Sequence, residues 1–369
     1  MSFLAYLQTI SREKLSLSLY SATSVDVEKA IDSPAGDLNS LLALLSPAAE
    51  PYLESMAQKS AQLTKQRFGA NIGMYIPLYL SNLCANECDY CGFSMSNKLK
   101  RKTLNRAELA DEMSVVKSQG YDSILLVSGE HETKVGIDYF KKVVPQVKAE
   151  FSYLAMEVQP LAETEYQELV NLGLDAVMIY QETYNPHTYA QHHTRGKKSD
   201  YAYRLDTPER IAKSGIDKIG LGVLLGLDDW RLDALLLGHH LAYLESKYWR
   251  TRYSVSLPRL RPCTGGISPK VELTDKGLVQ LICAFRLFNH QLDISLSTRE
   301  TSELRDNLFG LGVTTLSAGS STQPGGYVNP DTELDQFEIS DERTPIEVCE
   351  AMKLRGLNPV WKDWESAWV

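Results

Sequence analysis

The sequence predicts an α/β protein built on a (β/α)8 TIM-type barrel, with an N-terminal helical extension and a short C-terminal extension. Eight short runs rich in β-forming residues alternate with segments of helical periodicity, and this alternation is typical of parallel strands joined by helices. Eight is also the number of strands that closes such a barrel. The length of 369 residues suits one large barrel with additions at both ends.

The predicted elements follow one another at regular spacing. The strands are predicted at residues 74–80, 123–127, 153–158, 176–180, 218–224, 253–257, 293–297 and 313–316. The helices are predicted at residues 107–119, 139–149, 163–172, 208–213, 229–248, 275–289 and 301–309. Gly120, Gly173 and Gly215 each follow a predicted helix, as glycine commonly does at a helix C-terminus.

The chain divides into three predicted parts. Residues 1–70 form a helical extension, residues 71–325 form the barrel, and residues 326–369 form a segment that packs on the barrel. The last part holds three tryptophans, at positions 361, 364 and 368, and we expect them to contact the barrel because large aromatic side chains gain most from burial.

Charge and hydropathy exclude several classes of protein. Lys and Arg number 38 against 47 Asp and Glu, so the net charge is -9, whereas nucleic-acid binders usually carry a basic face. No apolar run reaches the roughly 18 residues that a membrane-spanning helix needs, and the N-terminus lacks the pattern of a secretory signal. We therefore expect a cytoplasmic protein that binds neither nucleic acid nor membrane.

Three of the six cysteines lie within eight residues, at Cys84, Cys88 and Cys91. This spacing allows one loop to place three thiolates at three corners of a [4Fe–4S] cluster. Zinc sites usually take four ligands in two pairs, and Cys263, Cys283 and Cys349 lie far away in sequence. Zinc and a chance grouping of buried cysteines are the alternatives. The three distant cysteines are interpreted as core thiols.

Polar residues follow the predicted strands, where functional groups of a barrel emerge. The cysteine loop follows the first strand. The residues after the other strands are Ser128-Gly129-Glu130, Glu157-Val158-Gln159, Gln181-Glu182-Thr183, Leu224-Leu225-Gly226, Arg259 and Arg261, Thr298-Arg299-Glu300, and Ser317-Ala318-Gly319-Ser320-Ser321. We expect one active site at this rim of the barrel.

The pattern CxxxCxYC at residues 84–91 resembles the signature of the radical S-adenosylmethionine (SAM) superfamily, including Tyr90 before the third cysteine. The resemblance extends over about residues 70 to 325 and implies a [4Fe–4S] cluster on Cys84, Cys88 and Cys91 and SAM as the second cofactor. It further implies SAM-binding roles for the residues that match the superfamily's other motifs. These are Ser128, Gly129 and Glu130 (a GGE-like element), Glu182, Arg204, and Gly222 and Gly226 of a GxIxG-like element.

Three segments narrow the resemblance to the aromatic-amino-acid lyases of this superfamily. They are SGEHETKVG at 128–136, YQETYNPHTY at 180–189 and SLSTRE at 295–300. The group includes the tyrosine lyase of thiamine thiazole biosynthesis, an FeFe-hydrogenase maturase and a tryptophan lyase. The maturase carries a second cysteine cluster in a further C-terminal domain, whereas only Cys349 follows the barrel here. We therefore expect the tyrosine-lyase branch.

The resemblance implies cleavage of the Cα–Cβ bond of L-tyrosine to p-cresol and dehydroglycine through a 5′-deoxyadenosyl radical. Arg299 is then expected to bind the substrate carboxylate with its planar guanidinium, with the Ser317 hydroxyl beside it. An ion pair of Arg299 with Glu300 or Glu303 is the structural alternative. The resemblance also implies thiazole synthase as a partner and an acidic, flavodoxin-type protein as the electron donor.

Several alternatives stay open. The chain could cleave another amino acid such as tryptophan, insert methyl or sulfur groups, or serve as a non-catalytic iron–sulfur scaffold or electron carrier. The histidines at 187, 192 and 193 are interpreted as part of a solvated or SAM-covering loop. The basic run of Lys98, Lys100, Arg101, Lys102 and Arg106 is interpreted as a solvated helix start, with docking of the electron donor as the functional alternative.

Overall fold

The computed structural model describes residues 1–330 and 334–362. Eight parallel strands form a closed barrel, because the first barrel strand pairs with the second on one side and with the last on the other. The barrel strands are β1 Asn71–Ser81, β3 Ser123–Ser128, β4 Tyr153–Glu157, β5 Ala176–Met178, β7 Lys218–Gly222, β8 Arg252–Ser256, β9 Asp293–Leu296 and β10 Thr315–Ser317. The predicted (β/α)8 barrel is thus confirmed, with strand ends shifted by a few residues.

Three further strands lie outside the barrel ring. β2 (Glu87–Cys88) and β6 (His193–Arg195) form a two-stranded antiparallel sheet, and β11 (Asn358–Val360) pairs in parallel with β1. None of them was predicted, because runs of two or three residues are too short to show an alternating pattern.

The helices surround the barrel and form the N-terminal extension. They are α1 Phe3–Leu7, α2 Arg12–Ser21, α3 Ser24–Ile31, α4 Leu38–Leu45, α5 Leu53–Phe68, α6 Arg106–Ser118, α7 Ile137–Lys148, α8 Glu163–Asn171, α9 Pro186–His192, α10 Tyr201–Leu205, α11 Thr207–Lys213, α12 Trp230–Lys247, α13 Asp275–Phe288, α14 Ser302–Leu308 and α15 Pro345–Leu354. Pro47–Tyr52 and Lys197–Ser199 are 3₁₀ helices. In the described part of the chain, no helix is long and apolar enough to cross a membrane.

Alternation along β1 explains how the barrel presents one face to the helices and the other to its interior. Ile76 and Leu78 are fully buried in the layer shared with the helices. Tyr75, Pro77 and Tyr79 face the barrel interior and line its central pocket, because successive side chains of a strand point to opposite faces.

The helical extension packs on α12 and α13. Arg231 donates hydrogen bonds to the carbonyl of Leu45 (2.7 Å) and the side chain of Gln280 (2.9 Å). The ring of Phe3 stacks on His240 with centroids 3.7 Å apart. Arg231 thus joins the extension to α12 and α13. The extension is also part of the same hydrophobic core as the barrel, since Phe3 and Leu41 belong to that core.

The C-terminal segment contacts the barrel through β11 and Trp361. The Trp361 ring meets Tyr121 edge-on at a centroid distance of 4.9 Å. Trp364 and Trp368, which were predicted to pack in the same way, lie outside the described residues. We retain the division at residues 1–70, 71–325 and 326–369 as a proposal.

Candidate active site

The cysteine loop follows β1 at the carboxyl end of the barrel. Cys84, Cys88 and Cys91 all line the central pocket, and none of the three forms a disulfide. The loop is held against the end of β3 because the Ala85 amide donates to the carbonyl of Glu130, two residues after that strand, at 2.8 Å. The pairing of β2 with β6 fixes the middle of the loop, since Cys88 lies opposite His193.

The donor set at this loop fits an iron–sulfur cluster. The three thiols come from one loop, and no described group of three or more His, Cys, Asp or Glu side chains converges as the ligands of one metal ion would. A cubane cluster needs no such convergence, since each thiolate binds a different iron. Burial raises the pKa of all three thiols, that of Cys84 to about 11, which is the opposite of a reactive catalytic cysteine.

Gly129, directly after β3, allows the end of this strand to approach the cysteine loop closely. A Cβ at this position would lie 2.5 Å from the Leu83 carbonyl oxygen, so only glycine fits. The Gly129 amide donates to the Ser81 carbonyl at 2.8 Å, and Ser128 is paired with Ser81 in the barrel. Ser128 and Gly129 therefore line the pocket directly beside the cysteines.

Glu130 and Arg204 form a buried ion pair that joins two distant parts of the chain. The Arg204 Nη1 lies 2.9 Å from the Glu130 Oε1, and its Nε donates to the Tyr180 carbonyl at 2.7 Å. Asn86, within the cysteine loop, donates to the other Glu130 oxygen at 2.7 Å. Burial alone would raise the pKa of Glu130, but the charges of Arg204 and Lys198 and the hydrogen bonds from Arg204 and Asn86 together lower it.

Glu182 adopts a left-handed backbone conformation with φ of 70°, which is uncommon for a residue other than glycine. Its carboxylate lies 2.7 Å from the Lys198 ammonium and 3.8 Å from the Arg204 guanidinium. Strained residues of this kind often cluster at functional sites, where the surrounding structure holds them in place. Here the Leu224 amide holds the Glu182 carbonyl at 2.9 Å.

Tyr90 and its neighbours correct the interpretation of the histidines. The Tyr90 hydroxyl lies 2.6 Å from the His193 Nε2. His193 is buried, and burial lowers its pKa to about 2, so this histidine stays neutral. His192 lies 2.9 Å from the Asp89 carboxylate, and only His187 is exposed. The solvated-loop interpretation therefore holds for His187 and not for His193, whereas the SAM-covering alternative stays a prediction.

Arg299 and Ser317 line the pocket from neighbouring strand ends. The Arg299 guanidinium lies 3.5 Å from the centroid of the Phe337 ring and donates to the Arg259 carbonyl at 3.3 Å. Glu300 pairs with Arg259 instead, and no carboxylate among the described residues forms an ion pair with Arg299. The predicted alternative, an ion pair with Glu300 or Glu303, is absent there.

Gly222 and Gly226 lie behind the pocket wall. A Cβ on Gly222 would lie 2.6 Å from the Ser256 carbonyl oxygen, and Gly226 has φ of 124°. Leu224, between them, is the residue of this segment that lines the pocket. Of the residues predicted to bind the cluster or SAM, only these two glycines lie outside the pocket lining. The other nine line it, as do Arg299 and Ser317; the nine are Cys84, Cys88, Tyr90, Cys91, Ser128, Gly129, Glu130, Glu182 and Arg204.

Several pocket residues were not among the predicted site residues. Lys198 comes from the 3₁₀ helix before α10, Glu157 ends β4, and Gln336 and Phe337 come from the C-terminal segment. Desolvation in the pocket, together with the nearby Glu182 charge, raises the pKa of Glu157 to about 7. Its position after a strand was a usable signal, whereas nothing in the sequence singles out the other three.

The C-terminal segment closes over the cysteine loop. The Gln336 carbonyl accepts from the Gly92 amide at 3.0 Å, and the Gln336 side chain lies 3.5 Å from the Cys91 sulfur and 2.7 Å from the Tyr79 hydroxyl. The segment thus contributes to the site and does more than pack on the barrel.

Comparisons with known proteins agree with this geometry. Residues 78–237 match the radical SAM superfamily and residues 256–358 match the biotin and thiamin synthesis associated domain. The chain is 53% identical to the 2-iminoacetate synthase of Escherichia coli and 51% identical to that of Salmonella typhimurium. Both matches cover 96% of this chain and 94% of the relative.

Solved structures agree at the level of the whole barrel. A crystal structure of HydG, a maturase of the FeFe-hydrogenase, superposes with a TM-score of 0.89 at 30% identity and covers 95% of this chain and 80% of that one. HydG from Carboxydothermus hydrogenoformans gives 0.86 at 29% identity, covering 98% and 83%. The near full-length identity decides the family: the chain belongs to the 2-iminoacetate synthase family of the radical SAM superfamily.

Proposed function

We propose that this enzyme cleaves the Cα–Cβ bond of L-tyrosine to p-cresol and 2-iminoacetate (dehydroglycine), for the synthesis of the thiamine thiazole. The observation that carries the proposal is that three free thiols, an acid–base network and Arg299 line one pocket at the carboxyl end of the barrel. The family relationship supplies the product, since the relatives at 53% and 51% identity are 2-iminoacetate synthases.

Cys84, Cys88 and Cys91 would hold a [4Fe–4S] cluster, and the neighbouring polar residues would hold SAM. When bound, the reduced cluster and SAM would supply the 5′-deoxyadenosyl radical that the cleavage of tyrosine requires. Ser128, Gly129, Glu130, Glu182 and Arg204 are the proposed SAM contacts, with Tyr90 beside the third cysteine.

The acidic and basic side chains hold each other in position before any cofactor contact. Glu130 and Arg204 are fixed by their mutual ion pair, and Glu182 is fixed by Lys198. Because these charges are largely buried, they act on a bound molecule with little screening by water. An ordered arrangement also reduces the entropy that is lost when a ligand binds.

Arg299 is the proposed anchor of the substrate carboxylate. Its guanidinium plane is set by the Phe337 ring and the Arg259 carbonyl, and a planar guanidinium binds a carboxylate through two parallel hydrogen bonds. Ser317, at the end of β10, is the proposed hydroxyl companion. This arrangement would turn the substrate amino group, rather than its β-carbon, toward the SAM side of the pocket.

Apolar side chains complete the pocket and would exclude water from the radical chemistry. Tyr79, Phe93, Leu125 and Val127 line it and belong to one buried cluster. Removal of water protects reactive intermediates from side reactions.

We further propose thiazole synthase as the partner that receives the product and a flavodoxin-type protein as the reductant.

Anaerobic reconstitution with iron and sulfide, followed by dithionite, SAM and tyrosine, tests the proposal. We expect both 5′-deoxyadenosine and p-cresol. Deoxyadenosine without p-cresol from tyrosine would exclude the proposed substrate and point to another amino acid. No SAM cleavage by a fully loaded protein would favour the scaffold or electron carrier.

A further inference from the structure

Arg101 is the member of the basic run that does not face solvent. Its Nη1 donates to the carbonyls of Asn82 (2.7 Å) and Phe93 (2.9 Å), and its Nη2 donates to those of Ser94 (2.6 Å) and Asn97 (3.2 Å). Asn82 precedes the first cysteine and the other three follow the last one. One guanidinium therefore ties together both ends of the loop that carries Cys84, Cys88 and Cys91.

The charge of Arg101 has no carboxylate partner among the described residues. Its four acceptors are neutral carbonyls of residues that flank the cysteine loop, two positions before Cys84 and two to six positions after Cys91. A half-buried cation without a counter-ion is costly to maintain. Its position between the two ends of the cysteine loop matches it to the negative charge that a thiolate-bound cluster would carry.

The other lysines of the run are placed differently. Lys98 and Lys100 are exposed, and the Lys102 ammonium lies 3.8 Å from Glu108. The interpretation of the run as a solvated helix start therefore does not apply to Arg101. Because its guanidinium is taken up by loop carbonyls, Arg101 is also unsuited to docking an electron donor.

We propose that Arg101 is a positioning residue for the cluster, which clamps the cysteine loop and raises the reduction potential of the cluster through its charge. The inference rests on the proposed function, because it requires that the three cysteines hold the cluster. Reduction adds one negative charge, and a nearby cation stabilises the more negative state. Hydrogen bonds and charges around the ligands are known to tune metal centres in this way.

Arg101→Gln and Lys100→Gln form a matched pair, since each removes one positive charge from adjacent positions. Lys100 is exposed, and its carbonyl, which accepts from Asn82 at 2.9 Å, is retained in the variant. We would reconstitute both variants and the unaltered enzyme anaerobically. We would then measure two quantities without tyrosine. The first is the iron content, and the second is the midpoint potential of the cluster, from a redox titration followed by electron paramagnetic resonance.

We expect Arg101→Gln to lower the ratio of reduced to oxidised cluster at a fixed potential by at least tenfold, a shift of about 59 mV for one electron. Lys100→Gln should stay close to the unaltered enzyme. Equal midpoints for both variants would overturn the proposed effect on the potential.

Arg101→Lys tests the effect of the charge separately from the clamping of the loop. It also keeps the inference testable if Arg101→Gln does not fold. A lysine keeps the charge but has no planar fork for four carbonyls. We expect its midpoint to stay within the range of the control while iron is lost to a chelator several-fold faster. Iron retention equal to that of the unaltered enzyme would overturn the clamp.

These readouts distinguish the inference from the proposed function. If the unaltered chain binds a cluster but forms no p-cresol, the lyase proposal fails. The midpoint and iron measurements on the Arg101 variants still test the positioning role of Arg101. If it binds no cluster at all, both fail. If p-cresol forms and Arg101→Gln matches Lys100→Gln in midpoint and iron content, the inference alone fails.

Discussion

The ammonium of Lys198 lies 2.7 Å from the carboxylate of Glu182, a residue held in a left-handed conformation. Both side chains are nearly buried, with 12% and 11% of their surface exposed. Lys198 also lies 5.6 Å from the centroid of the Tyr90 ring. Lys198 thus connects Glu182, one of the proposed SAM contacts, to the aromatic residue of the cysteine loop.

Removal of Lys198 should destabilise the enzyme strongly. Lys198→Met leaves Glu182 without its nearest cation, and breaking a buried pair from one side costs about 3 kcal/mol. Urea unfolding measures this loss. Lys197→Met is the control, since Lys197 pairs with Glu132 at the exposed surface and should cost less than about 1 kcal/mol. Equal losses for both variants would contradict the assigned role of Lys198.

Glu157 should make stability depend on pH. Desolvation raises its pKa from 4.5 to about 7, with Glu182 adding to this and Arg299, Lys198 and Arg204 opposing it. The native state keeps a proton that the unfolded chain has already lost, so stability falls as pH rises from about 4.5 to 7. Tyr75, Tyr79 and Tyr180 are the other titratable groups near Glu157.

Glu157→Gln removes this loss. At about 1.4 kcal/mol per pKa unit, its stability relative to the unaltered protein should be about 3 kcal/mol higher at pH 8 than at pH 4. Urea unfolding of the metal-free protein at several pH values measures the difference. Glu150→Gln, at an exposed position after α7, should show no such trend. Parallel pH curves for Glu157→Gln and the unaltered protein would rule out the predicted shift.

Arg299→Lys should impair tyrosine cleavage more than SAM cleavage. An ammonium cannot provide two parallel hydrogen bonds to a carboxylate, and we expect kcat/KM for p-cresol formation to fall by about 100-fold, or roughly 2.7 kcal/mol. Deoxyadenosine formation should persist. Arg250→Lys is the matched control, since Arg250 lies against the exposed Trp249 ring. A variant with unchanged p-cresol kinetics would exclude Arg299 as the anchor.

The six cysteines should fall into two groups when each is replaced by alanine. Cys84, Cys88 and Cys91 variants should lose most of the iron, because three thiolates from one loop hold the cluster. Cys283 and Cys349 are buried in the core, but Cys263 is only half-buried, so its description as a core thiol was wrong. All three of these variants should retain iron. Iron loss in the Cys263 variant would indicate an additional ligand.

Strand ends predicted much of the site because a closed parallel barrel brings all carboxyl ends to one rim. Cys84, Ser128, Glu182, Arg299 and Ser317 were found in this way, although they are spread over more than 230 residues. A long connection after a strand separates a pocket residue from the strand end that would indicate it. Lys198 follows the end of β5 by 20 residues, and no local pattern indicates that its helix folds back over the pocket.

The basic run shows a second limit of sequence patterns. Five cationic residues between 98 and 106 look alike in sequence, yet Arg101 donates to four loop carbonyls while Lys98 and Lys100 are exposed. Whether a charged side chain meets solvent or a backbone carbonyl depends on how the loop closes. That closure is a property of the tertiary structure.

The sequence by itself determined the barrel, the cysteine loop and the order of polar residues at the strand ends, because hydrophobic periodicity and ligand spacing are local properties. Only the tertiary structure decided which charges meet. Arg204 with Glu130, Lys198 with Glu182 and Gln336 with Cys91 each join residues that are 16 to 245 positions apart. Such partners are selected by packing and by the cost of leaving buried polar groups unpaired, and neither can be evaluated until the chain has folded.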